Sequence, residues 1–152
     1  MSVDIYVAIP AARWPDIAAV QRCVTSHAYP LHIKRFPVLD RERVVNDGVT
    51  ATIDGKDAYL EGALARAPAL PNDVRMINDR LAASQVADRI GSDHVLMSFH
   101  LRAPVEMRAA GYVIAALIVC FDGLGFEPQG NTSGHAAFAE SFVAGSDALK
   151  GL

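Results

Sequence analysis

Cysteine is scarce in this chain, aromatic residues are few, and charge of one sign nowhere accumulates. Cys23 and Cys120 are the two cysteines, and no Cys-x-x-Cys or His-Glu-x-x-His pattern occurs. That excludes the common zinc modules and the disulfide-dense secreted scaffolds. The formal net charge is -3, and no long basic run offers a nucleic acid its usual footprint. The densest basic stretch, Lys34, Arg35, Arg41 and Arg43, has Asp40 and Glu42 among its last members and reads as a solvated strand and loop. The most apolar run, 109–120 extended by Phe121, falls short of the ~20 residues that cross a bilayer and predicts a buried core helix. Asp4 and Pro10 interrupt the N-terminal segment too early for a secretory signal. Together these absences point to a cytoplasmic protein without nucleic-acid or membrane partners. In that setting both cysteines are expected to be reduced and packed as small hydrophobes.

What is present suits one folded unit spanning 1–152, because 51% hydrophobic against 20% charged residues supplies a core. Val3, Ile5, Val7 and Ile9 alternate with Asp4, Tyr6 and Ala8, which predicts a strand ended by Pro10. Pro15 and Asp16 suit a helix N-terminus, and Ile17, Val20, Val24 and His27 follow at helical spacing to about Ala28. Residues 31–36 read as a short strand with Leu31, Ile33 and Arg35 on one face. Over 49–61 the pattern is a β-hairpin: Val49, Ala51 and Ile53 alternate with threonines, and Asp54-Gly55 tolerates the positive φ angles of a primed turn. A connector over 67–71 precedes a helix with Val74, Ile77 and Leu81 on its stripe, Val86 and Ile90 near its end, and Gly91 closing it. Residues 94–101 predict a strand, and Pro104 starts a helix through Phe121 that is apolar on nearly all sides. A short strand near Phe126, a polar loop over 130–134 and a helix over 135–143 complete the order. The fold expected is α+β: a ferredoxin-like antiparallel sheet with an inserted β-hairpin, helices on one face and an extra C-terminal helix.

No chemical motif stands out. Cys23 and His27 lie four apart on one helix face, a spacing that suits a metal or an activated thiolate, but further ligands are not evident and a core role is the simpler reading. His94 and His100 share a strand face roughly 20 Å apart, too far to hold one metal. Gly123-Leu124-Gly125 follows a helix and meets Pro128 where a dinucleotide fingerprint wants glycine. No Walker pattern and no Gly-x-Ser-x-Gly elbow occurs. Neither a catalytic set nor a cofactor is therefore expected. The hairpin carboxylates Asp54, Asp57 and Glu61, with Lys56 and Tyr59, form the candidate partner-binding set, since exposed acids on a rigid hairpin suit contact with a basic protein.

Met1-Ser2-Val3-Asp4-Ile5-Tyr6 opens the chain in a way that resembles a group of small bacterial proteins. The further pieces are Gly48, Gly55, Glu61, Asp93-His94-Val95-Leu96, the alanines over 109–116, Gly123, and Phe126-Glu127-Pro128-Gln129-Gly130. Tyr59-Leu60-Glu61 stands where the group carries a Gly-Phe-Glu-like step. Some of these proteins resemble immunity proteins encoded beside polymorphic or type VI secretion toxins. The resemblance implies a cytosolic protein that binds and neutralises a cognate toxin and has no catalysis of its own. A second expectation is a small ferredoxin-like enzyme or ligand-binding domain acting as a dimer, with His94, His100, Tyr59 or Glu106 lining its pocket. A third is a self-associating structural subunit.

Overall fold

The computed structural model describes residues 2–151, so Met1 and Leu152 of the expected single unit lie outside the described residues. Two antiparallel sheets form. In the larger, the strand order is β5 (Gly62–Arg66), β6 (His94–Leu101), β1 (Val3–Pro10), β7 (Leu124–Glu127) and β8 (Thr132–Gly134); in the smaller it is β2 (His32–Arg35), β3 (Val49–Ile53) and β4 (Lys56–Leu60). Strand β1 (Val3–Pro10) lies between β6 (His94–Leu101) and β7 (Leu124–Glu127), and Val3 pairs with Leu101 while Pro10 pairs with His94. Strand β5 (Gly62–Arg66) extends the sheet beyond β6, and β8 (Thr132–Gly134) extends it beyond β7.

The alternation in β1 and β6 decides what covers each face. Ile5, Val7, Ile9, Val95, Met97, Phe99 and Leu101 point into the main core. Ala8, Leu96, Leu124 and Phe126 point the other way and meet Ile77 and Leu81 of helix α2 (Pro71–Ala83). Helices therefore cover both faces, not the one face expected. The reason is the sheet pattern itself: part of the second face is apolar and must be buried as well.

Helix α3 (Pro104–Phe121) organises the main core. It packs on β1 and β6 of the large sheet, on β3 (Val49–Ile53) and β4 (Lys56–Leu60) of the small one, and on helices α1 (Ile17–Ser26) and α4 (Ala136–Ala148). By length and composition α3 matches a membrane span, but Arg108 through Ile118 are all buried against these elements. Each buried Val, Leu or Ile there contributes roughly 1.5–3 kcal/mol, so the helix is held by its surroundings rather than by propensity. Gly111 lets α4 approach: a Cβ there would lie 1.9 Å from Ser146 Oγ and 2.8 Å from the Phe142 carbonyl oxygen.

The hairpin forms as the sequence predicts, with Asp54 at φ 52° and Gly55 at φ 74°, the positive pair that a primed turn needs. Strand β2 (His32–Arg35) joins it, with an irregular register between Ile33 and Arg35 that leaves Arg35 exposed rather than on the face of Leu31 and Ile33. One residue, Glu61, separates β4 from β5, so a single extended run passes from the small sheet to the large one. Asp16 caps α1 by accepting from the Ala19 amide at 2.8 Å, and the buried stripe is Val20, Cys23 and Val24, with Ile17 and His27 turned outward. Helix α2 stops at Ala83, with Gln85 in the left-handed region at φ 60°, so Val86 and Ile90 pack from a loop rather than from its end.

The cysteines are not free. Cys23 and Cys120 form a disulfide between α1 and the last turn of α3, 97 residues apart in sequence. The expectation of two reduced, separately packed thiols is thus corrected. Both helices pack on one core, which brings their C-terminal turns together, and sequence spacing carries no trace of that.

Candidate functional site

The small sheet buries one face against α3 and leaves the other bare. Val49, Ala51, Ile53, Ala58 and Leu60 point inward, while Thr50, Thr52, Asp57 and Tyr59 point outward beside His32, Lys34 and Arg35 of β2. Tyr59 is the large apolar group of this face, 48% exposed, and its hydroxyl accepts from the Gly48 amide at 3.2 Å. Two ion pairs flank it. Lys34 Nζ lies 3.1 Å from Asp57, whose other oxygen accepts from Thr52 Oγ1 at 3.0 Å. Arg35 pairs with Asp47. The Lys34 hydrogen bond to Asp57, helped by that of Thr52, holds this exposed carboxyl below the usual aspartate range.

The five hairpin residues marked out by sequence do not form one patch. Asp57 and Tyr59 share the bare face. Asp54 and Lys56 lie at the turn, facing α3 and the C-terminal end, in a groove with Ile53, Val105, Arg108 and Lys150. Glu61 sits at the junction between sheets, ion-paired with Arg102, and its carbonyl accepts from the His100 amide at 2.8 Å. Each of the three carboxylates has a cation of its own: Lys34 for Asp57, Arg108 for Asp54, Arg102 for Glu61. Their attraction for a basic partner is therefore largely met inside the chain.

Behind the turn lies a buried cation that sequence reading missed. Arg108 is 4% exposed. Its Nε lies 2.9 Å from Asp54, and its Nη1 donates to the Ser146 carbonyl at 2.6 Å and to the Tyr112 hydroxyl at 3.0 Å. Tyr112 donates in turn to Asp147. The Arg108 hydrogen bond depresses the Asp54 pKa, while burial and the Asp147 bond raise that of Tyr112. Arginine in the first turns of a helix usually reads as solvated; the one available signal was its position in an otherwise apolar helix.

The large sheet also carries an uncovered polar strip, beside the area that α2 protects. Asp4 pairs in register with His100 and its carboxylate contacts His100 Nδ1; Tyr6 pairs with Ser98, and the Tyr6 hydroxyl reaches Asp73 at 3.5 Å. Burial, then the charges of Asp73 and Asp4, raise the Tyr6 pKa. The residues expected to line a common pocket do not converge. Tyr59 is on the other sheet, and Glu106 accepts from the Arg102 amide at 3.3 Å. His94 stands at the far end of β6, where its Nδ1 accepts from the Gly91 amide at 2.9 Å.

No protein-family model matches this chain, and neither the curated proteins nor the solved structures yield a match.

Among the described residues, Cys23, His27 and Cys120 form a three-residue cluster with metal-ligating groups. His27 Nδ1 lies 3.9 Å from Cys23 Sγ and 4.0 Å from Cys120 Sγ, so the third member that the Cys23/His27 spacing lacked in sequence comes from α3. The His27 ring stacks on Tyr29, whose ring packs on Tyr112.

Proposed function

We propose that this is a cytosolic binding protein of the immunity type, which neutralises a cognate bacterial toxin through the outward face of its small sheet. The observation that carries the reading is that bare face: a half-exposed tyrosine on a rigid hairpin, framed by ion pairs already formed within the chain. Such a surface meets a partner with little side-chain ordering, and a central aromatic is the usual anchor of an interface. The contact set is revised accordingly to Tyr59, Asp57, Lys34, Thr50 and Thr52, with Asp54, Lys56 and Glu61 acting as supports. We read the large sheet as a ferredoxin-like variant. In support, β1 and β5 run parallel with β6 between them as a split β-α-β unit, and β7 flanks β1. Here α2 stands where that fold has a hairpin.

The test is capture of the tagged protein's partner from cells that carry its gene neighbourhood, followed by growth assays. Expression of the partner alone is expected to stop growth, co-expression of this chain to restore it, and Tyr59→Ala to weaken the rescue. A captured partner that is harmless alone sinks the immunity reading. The cytosolic setting carries its own test, since a Cys23–Cys120 bridge argues for an oxidising compartment. Thiol trapping in intact cells decides it: a pool that is largely reduced supports the cytosolic proposal, and a fully bridged pool moves the protein to the cell envelope.

A second reading, a small ligand-binding or catalytic domain acting as a dimer, draws on the Asp4–His100 contact beside Tyr6 and Ser98. It predicts that His100→Ala abolishes ligand binding while leaving partner capture intact.

A further inference from the structure

We propose that, with the bridge reduced, Cys23, Cys120 and His27 bind one zinc ion, so that the disulfide and the metal are alternative states of a single site. Their ligand atoms all lie within 4.8 Å of one another. The two Cα atoms are 6.3 Å apart. Tetrahedral zinc with S at about 2.3 Å and N at about 2.0 Å places sulfurs about 3.8 Å apart and sulfur and nitrogen about 3.5 Å apart. The His27 ring already stands 3.9 and 4.0 Å from the sulfurs, so it closes in by a few tenths of an ångström while the thiols separate by side-chain rotation.

The surroundings favour a cation over a reactive thiol. Cys23 is in the last turn of α1 and His27 is its C-cap, while Cys120 is in the last turn of α3. Two helix C-termini, the negative ends of their dipoles, therefore converge on the site. Nucleophilic cysteines lie in electropositive settings such as helix N-termini, the opposite arrangement. Cys23 is buried, Cys120 half-buried and His27 exposed, which leaves one side open for a metal to enter and for water to take the fourth position. One bond must be given up: His27 Nδ1 lies 3.0 Å from the Cys23 carbonyl oxygen, so ligation through Nδ1 moves its proton to Nε2.

The exchange balances. A trialkylphosphine reduces the bridge, which gains two electrons and two protons as the phosphine takes oxygen from water. Zinc then displaces both thiol protons. This site lies apart from the partner face and does not rest on the partner reading. The experiment is anaerobic titration of the full-length, reduced, phosphine-free protein with Co²⁺. We expect one equivalent to give thiolate-to-cobalt charge-transfer absorption that Zn²⁺ abolishes, and the oxidised protein to give none. Cys120→Ser is expected to remove the band. His27→Ala keeps the bridge and its fold, as circular dichroism of the oxidised form will show. After reduction it is expected to bind at least about tenfold more weakly, because even an outer-shell partner costs that much. The proposal is overturned by a folded, reduced protein without charge-transfer absorption, by affinity unchanged in His27→Ala, or by unfolding on reduction that zinc does not reverse.

Discussion

Removing the anion beside Arg108 should harm the fold more than removing Arg108 itself. In Asp54→Asn the turn survives, because asparagine adopts the left-handed conformation readily. The guanidinium, 4% exposed, then stays buried without its ion-pair partner. In Arg108→Met the aliphatic stem is replaced at similar volume and the charge is gone. Asp54 turns to water, Tyr112 keeps Asp147, and the Ser146 carbonyl keeps the Leu149 amide at 3.2 Å. The loss is then the Arg108 hydrogen bonds to Asp54, the Ser146 carbonyl and the Tyr112 hydroxyl, set against relief of a buried cation, a net cost of about 1–2 kcal/mol. Urea unfolding at neutral pH should therefore rank Asp54→Asn below Arg108→Met, with the double variant close to Arg108→Met. Acid should act like the asparagine substitution. The Asp54 pKa is lowered in the fold, chiefly by the Arg108 hydrogen bond. Its contribution is present above the unfolded value of about 3.9 and is lost as pH falls through the folded one. If Asp54→Asn is as stable as wild type, or if the double variant is the least stable of the three, the buried-cation argument fails.

Two further outcomes test the packing. Gly111→Ala should lower stability by up to about 2 kcal/mol, the overpacking cost of about 1–3 kcal/mol less a helix-propensity gain of about 1 kcal/mol. Ser146→Gly in that background should recover only part of the loss, because the Phe142 carbonyl stays 2.8 Å from the new methyl group. Reduction of Cys23–Cys120 in metal-free buffer should cost about 4.7 kcal/mol by chain-entropy reasoning for a 97-residue separation, read as a lower urea midpoint.

Local signals in the sequence specify several elements. The Asp54-Gly55 turn, the strand over His94–Leu101 and the helix over Pro104–Phe121 each follow from turn chemistry, period-two alternation or an unbroken apolar run, and each has the bounds expected. Strands β5 and β8 were missed for physical reasons. β5 is Gly-Ala-Leu-Ala-Arg, weak in β-branched residues, and is held by pairing with β6; β8 has three residues and exists by pairing with β7. The coverage of both sheet faces was legible in principle, because Ala8, Leu96 and Phe126 are apolar at positions that alternate with the main core. Long-range meetings were not. The Cys23–Cys120 bridge, the arrival of Cys120 beside His27 and the Asp54–Arg108 pair join residues from separate elements, and no local pattern in either partner records the other. The surroundings of the hairpin residues are half legible for the same reason. Their exposure follows from hairpin geometry, but the cations that neutralise Asp54, Asp57 and Glu61 come from α3, β2 and the segment after β6.

The proposed partner seats on Tyr59 and the outward face of the small sheet. Calorimetric titration of the captured partner against wild type and Tyr59→Ala tests it most directly. An anchoring tyrosine contributes about 2 kcal/mol or more, so the account predicts affinity weakened by about thirtyfold with the fold intact. Equal affinity for the two proteins would contradict it and remove this face as the binding site.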